Sequence, residues 1–119
     1  MKTFLLACGF LLLVGLPAAA AETGYSGVIE DLPLMPQMAE RTDEALVFDK
    51  PNGRIVEIGA DVAASVGEIR NFYRDALPPL GWKILSENSF SRDNEMLEIT
   101  VEPQEGKNLV RFNLTPKGK

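Results

Sequence analysis

The chain has 119 residues, 17 of them acidic and 12 basic, with no histidine and a single cysteine. Its basic residues are scattered among acids, so no stripe exists to neutralise phosphates, and nucleic acid is excluded as an expected partner. Because Cys8 falls in an expected leader, the mature chain has neither thiolate nor imidazole; this argues against zinc, haem and cluster cofactors and removes Cys nucleophiles and His bases.

Lys2, the apolar run Phe4 to Leu16, and Pro17 followed by Ala18 to Ala21 have the layout of a signal peptide over 1–21, cleaved before Glu22. The apolar run is too short for a membrane span, and Cys8 lies too early in it to be a lipid-attachment site. The mature chain is therefore expected to be exported, to the periplasm first and to the medium as the alternative, with no membrane span and no internal disulfide. One hydrophobic core must hold it.

Residues 22–44 read as an extended segment. Leu32, Leu34, Met35 and Met38 are interleaved with Pro33 and Pro36, a proline density that forbids a stable helix. Two readings follow: a strap docked over a sheet edge or core end, or a partner-binding segment in which Leu32, Leu34, Met35 and Met38 meet an envelope protein, the flexible methionines adapting to it. Met35 and Met38 alone, without His or Cys, do not make a copper site.

Residues 45–119 read as one domain. Ala45 to Phe48 and Arg54 to Ala60 form a hairpin closed around Asp49 to Gly53. Ser65 to Trp82 holds the single helix. Ser65 and Glu68 form a capping box, and Val66, Ile69, Phe72, Tyr73, Ala76, Leu77 and Leu80 recur at helical spacing. Pro78, Pro79 and Gly81 end it. Strands are expected over Trp82 to Ser86, Phe90 to Arg92, Glu95 to Glu102 and Leu109 to Thr115, with a turn at Asp93 and Asn94, Pro103 closing the third and a polar loop over Gln104 to Asn108. Leu97, Ile99 and Val101 alternate with polar residues, as do Val110, Phe112 and Leu114, so each strand has one buried and one wet face. The fold class is α+β: one helix on an antiparallel sheet, in the order β-β-α-β-β-β-β.

DLPLMP (31–36), VFDKPNGRIVE (47–57), FYRDALPPLGW (72–82), FSR (90–92) and RFNLTP (111–116) together resemble a group of small exported proteins of Gram-negative bacteria. The FY…L…GW junction is similar, more loosely, to one in bacterial envelope domains with a helix packed on an antiparallel sheet. The resemblance implies fold and location and transfers no catalytic or binding residue.

Phe72, Tyr73 and Trp82 are candidates for an aromatic ligand pocket between helix and sheet, or else for core. The outward residues Glu98, Thr100, Glu102, Arg111 and Asn113 read as a solvated sheet face, and Asp93 to Glu95 as a turn rather than a calcium loop. No G-x-S-x-G, phosphate loop or nucleotide fingerprint occurs. The expected function is non-enzymatic binding without cofactor or metal: protein interaction in the cell envelope through the Met- and Pro-containing segment or an exposed strand edge, or carriage of a small apolar ligand.

Overall fold

A computed structural model describes residues 24–117; the leader expected over 1–21 lies outside them. Among the described residues there are one α-helix, α1 (Val66–Ala76), and seven strands: β1 (Ala39–Glu40), β2 (Leu46–Lys50), β3 (Gly53–Val62), β4 (Lys83–Ile84), β5 (Ser89–Arg92), β6 (Glu95–Gln104) and β7 (Lys107–Pro116). All pairings are antiparallel. The spatial order is β1-β3-β7-β6-β5-β4, and β2 lies along the other half of the β3 edge that β1 occupies. The order β-β-α-β-β-β-β expected from the sequence is present as β2 to β7 around α1, with the two-residue β1 added before it.

The helix begins as its capping box requires: the Ser65 hydroxyl accepts from the Glu68 N–H, and the Glu68 carboxylate accepts from the Ser65 N–H. It ends in a one-turn 3₁₀ helix, Pro78–Leu80, closed by Gly81 at φ 98°, the left-handed conformation for which glycine has no steric penalty. Ile69, Tyr73 and Leu77 turn one buried stripe onto the sheet. There they meet Val56, Ile58, Leu97, Ile99, Val110, Phe112 and Leu114, which alternate along β3, β6 and β7 and so share one face. Tyr73 stands edge-on to Phe72 at 4.8 Å and to Phe112 at 5.5 Å.

Several strand boundaries differ from the sequence reading. The β2–β3 hairpin pairs up to Lys50 and Gly53, leaving only Pro51 and Asn52 in the turn. The expected Gln104–Asn108 loop shrinks to Glu105 and Gly106, because β6 continues through Pro103 to Gln104. Pro103 does not end the strand for a geometric reason. The Ile99 N–H points to the Asn88 carbonyl, away from β7, and residue 103, four positions on, directs its nitrogen the same way. β5 pairs with β6 only up to Glu98, so the donor that proline lacks would have faced an unpaired edge.

The segment 24–40 is part of the packed domain. Ile29, Leu32 and Leu34 are core residues, and Met35 and Met38 pack against them half-buried. The segment starts with a small loop in which Ser26 and Leu32, and Gly24 and Leu34, pair through their backbones. The Glu40 carboxylate holds this loop, accepting from the Ser26 hydroxyl and the Gly27 N–H. Asp31 lies 3.7 Å from Arg92 on β5, while Ala39 and Glu40 pair with β3. The segment therefore crosses the buried face of the sheet beside α1, as a strap. The Tyr73 hydroxyl donates to the Pro33 carbonyl at 2.8 Å, and burial raises its pKa well above the usual phenol range.

At the β1 end, Arg41 makes a two-pronged ion pair with Asp61, 2.9 Å in each prong, and Lys107 stands 3.6 Å from the same carboxylate. The hydrogen bond from Arg41, with the nearby positive charge, holds the Asp61 carboxyl below its ordinary pKa.

Two outcomes are expected. Tyr73→Phe strands the buried Pro33 carbonyl without its donor and lowers stability by about 1–2 kcal/mol; chemical denaturation measures the loss, and amide exchange faster at Leu34 than in β6 would locate it in the strap. A carboxyl whose folded pKa is depressed contributes stability above its unfolded value of about 4, lost as pH falls through the folded value. Asp61→Asn is therefore less stable than the native protein at neutral pH and loses less on acidification, as urea midpoints across the acid range will show.

Candidate functional site

The interior between helix and sheet is filled. Tyr73 and Trp82 are 1% and 4% exposed, and Phe72 is half-buried against the core. The aromatic trio thus lies in or against the core and encloses no chamber. A crevice of about 10 Å³ runs between Ile69 and Tyr73 on the helix and Phe90, Ile99 and Val101 on the sheet, at the limit of what one water occupies.

Arg92 organises the C-terminal end of the helix. Its guanidinium lies 4.5 Å over the Trp82 ring and donates to the Leu80 carbonyl at 3.0 Å. This cation–π contact and hydrogen bond lock the helix end, the start of β4 and β5 into one unit. The β4–β5 hairpin is thereby held beside α1 with a gap between them.

That gap is a groove of about 340 Å³ lined by Arg70 and Arg74 from α1 and by Ile84, Ser86, Glu87 and Phe90 from the hairpin. It lies at the lower end of the range for small-molecule sites, about 300–1,000 Å³. Arg70 and Arg74, four apart, stack on one helix face, and a single carboxylate, Glu87, opposes them. Ile84 is 49% exposed and, with Phe90, supplies the apolar wall. The Arg70 guanidinium reaches Glu87 at 3.2 Å, and both residues also line the crevice beneath, so this ion pair is its lid. The Arg70 Nε–H is buried and makes no hydrogen bond within the described residues.

Arg70 and Arg74 fall between the apolar positions of the expected helix, and Glu87 falls between the strands expected over Trp82 to Ser86 and Phe90 to Arg92. Their i, i+4 spacing was legible; the hairpin that turns them into one wall of a groove was not. Leu32 and Leu34 are covered by the domain, 2% and 9% exposed, and Met35 and Met38 are half-buried. The outward row is solvated as expected, with Arg111 and Glu102 paired at 2.8 Å and each about half exposed. No group of three or more metal-ligating side chains occurs among the described residues, and no described helix is long and apolar enough to cross a membrane.

A family model described as START domain-like matches residues 60–107. The matched stretch runs from the end of β3 to the first residue of β7, and every residue lining the groove lies within it. The similarity agrees with the helix-on-sheet likeness read from the FY…L…GW junction. No curated protein and no solved structure matches the chain significantly.

Proposed function

We propose that the protein is an exported, non-enzymatic binding domain whose groove between α1 and the β4–β5 hairpin takes a small amphipathic anion. The reading rests on the buried, unbonded Arg70 Nε–H beside an apolar wall. Leaving a donor buried and unpaired costs about 1–3 kcal/mol; a carboxylate that reaches Nε as the Arg70–Glu87 pair opens relieves that cost while Arg74 adds a second charge. The apolar tail lies along Ile84 and Phe90. Opening the Arg70–Glu87 pair, an exposed bridge worth under about 1 kcal/mol, extends the tail's path toward Ile69 and Ile99. Similarity to a START domain-like model over this same stretch suggests a ligand-binding domain and supports the reading.

Octanoate and octanol, titrated separately while amide shifts are followed by NMR, test it. Octanoate is expected to shift residues 70–74 and 84–90, octanol to bind more weakly, and Arg70→Gln with Arg74→Gln to weaken octanoate at least about tenfold. Glu87→Gln, which releases Arg70, is expected to strengthen it. Equal binding of acid and alcohol, or shifts elsewhere, would refute the site.

A second reading, protein interaction in the cell envelope, is favoured by one observation: Leu46, Val47 and Phe48 on the edge strand β2 are all about half exposed. A photo-crosslinking residue at Phe48 in host cells should give an adduct heavier than the protein alone. Absence of any adduct counts against this reading.

A further inference from the structure

The β4–β5 hairpin carries the groove on its helix side, and its outer side holds a second concavity. Lys83, Ser91, Met96 and Thr115 stand opposite one another across β4, β5, β6 and β7, so their side chains share the outer face of the sheet. Where this row meets the turn at Asp93 and Asn94, a depression of about 300 Å³ opens, lined by Gly81, Lys83, Ser91, Arg92, Asp93 and Lys117. Lys117 is brought there by its own backbone, whose N–H donates to the Asn94 carbonyl at 2.6 Å.

Ser91 is 7% exposed, the one buried polar residue among those described. No side-chain hydrogen bond among the described residues involves its hydroxyl, although buried polar groups are nearly always paired. Neither Lys83 nor Lys117 has a carboxylate within ion-pair reach among the described residues, Asp93 included, in a chain that is acidic as a whole. Arg92 is already engaged, by the Leu80 carbonyl and, at 3.7 Å, by Asp31; it adds a fixed positive charge beside the depression rather than a free donor.

We propose that this depression binds inorganic phosphate. Lys83, Lys117 and the Ser91 hydroxyl donate to its oxygens, and the Asp93 carboxylate accepts from its remaining O–H. A tetrahedral oxyanion offers acceptors in several directions, which suits donors arriving from β4, from β5 and from the end of β7. Asp93 then selects within that class. A carboxylate repels a bare oxyanion but accepts from one with a hydrogen to give, so hydrogen phosphate fits, whereas sulfate and a phosphodiester lipid headgroup, which have none at neutral pH, do not. The groove shares none of these residues, so the failure of either site leaves the other standing.

Sodium phosphate and sodium sulfate, each titrated into the protein at constant ionic strength against sodium chloride while amide shifts are followed by NMR, test it. Phosphate should give saturable shifts at residues 81–83, 91–94 and 117 with a Kd of about a millimolar or below, and sulfate should bind at least about tenfold more weakly. Asp93→Asn, in which the new side chain tolerates the positive φ of 53°, should close that gap by admitting sulfate. Lys83→Gln with Lys117→Gln should weaken phosphate at least about tenfold. Ser91→Ala removes a hydroxyl that has no partner in the chain, so it should weaken phosphate with the melting temperature unchanged. Vesicles of phosphatidylglycerol should leave these amides unmoved. Equal binding of phosphate and sulfate, no saturable shift at these residues, or vesicle binding as strong as that of phosphate would overturn the site. So would a Ser91→Ala variant that melts lower and binds phosphate as before.

Discussion

An eleven-residue helix is about 16 Å long and, with its side chains, about 10 Å across, whereas six strands side by side span about 24 Å. One such helix cannot cover one face of this sheet. The rest of the molecule is a response to that shortfall. The strap lies beside α1 and fills the uncovered part with Ile29, Leu32 and Leu34. It is fastened at Asp31 to Arg92, at Pro33 to Tyr73, and at Glu40 to its own first loop. Tyr73 is the shared element: its ring packs on Phe112 while its hydroxyl holds the strap.

Filling the face in this way moves open space to the margins. The crevice between helix and sheet holds about 10 Å³, and the groove of the proposed ligand is the seam where the helix meets the β4–β5 hairpin. There the polar face of the helix is already charged, and the short hairpin brings apolar side chains alongside. Among the described residues β2 pairs with β3 alone, beside the stretch of the β3 edge that β1 covers.

Much of the fold was legible in the sequence because local signals agreed with one another. Ser65 and Glu68 marked the helix start, Gly81 its end, and the alternation in β3, β6 and β7 fixed their faces. Legibility failed where a long-range contact decides. Pro103 read as a stop because its direction relative to β5 is unknown until the register is known. Leu32 and Leu34 offered two readings, since apolar residues on a proline-rich segment look the same whether they meet their own domain or another. The groove was the least visible feature: Arg70 and Glu87 are 17 residues apart, and the unpaired Arg70 Nε–H arises only from their packing.

The strap also sets the order of assembly. It precedes the helix and the sheet in the chain, yet Pro33 must wait for Tyr73, 40 residues later, and Asp31 for Arg92, later still. Contacts this distant in sequence close late and slowly. During that interval Ile29, Leu32, Leu34 and both methionines are exposed on a nascent chain. Pro33 and Pro36 deny this stretch the regular strand pairing through which waiting apolar segments aggregate. The prolines that keep the strap from becoming a helix in the finished domain thus also protect it before the domain exists.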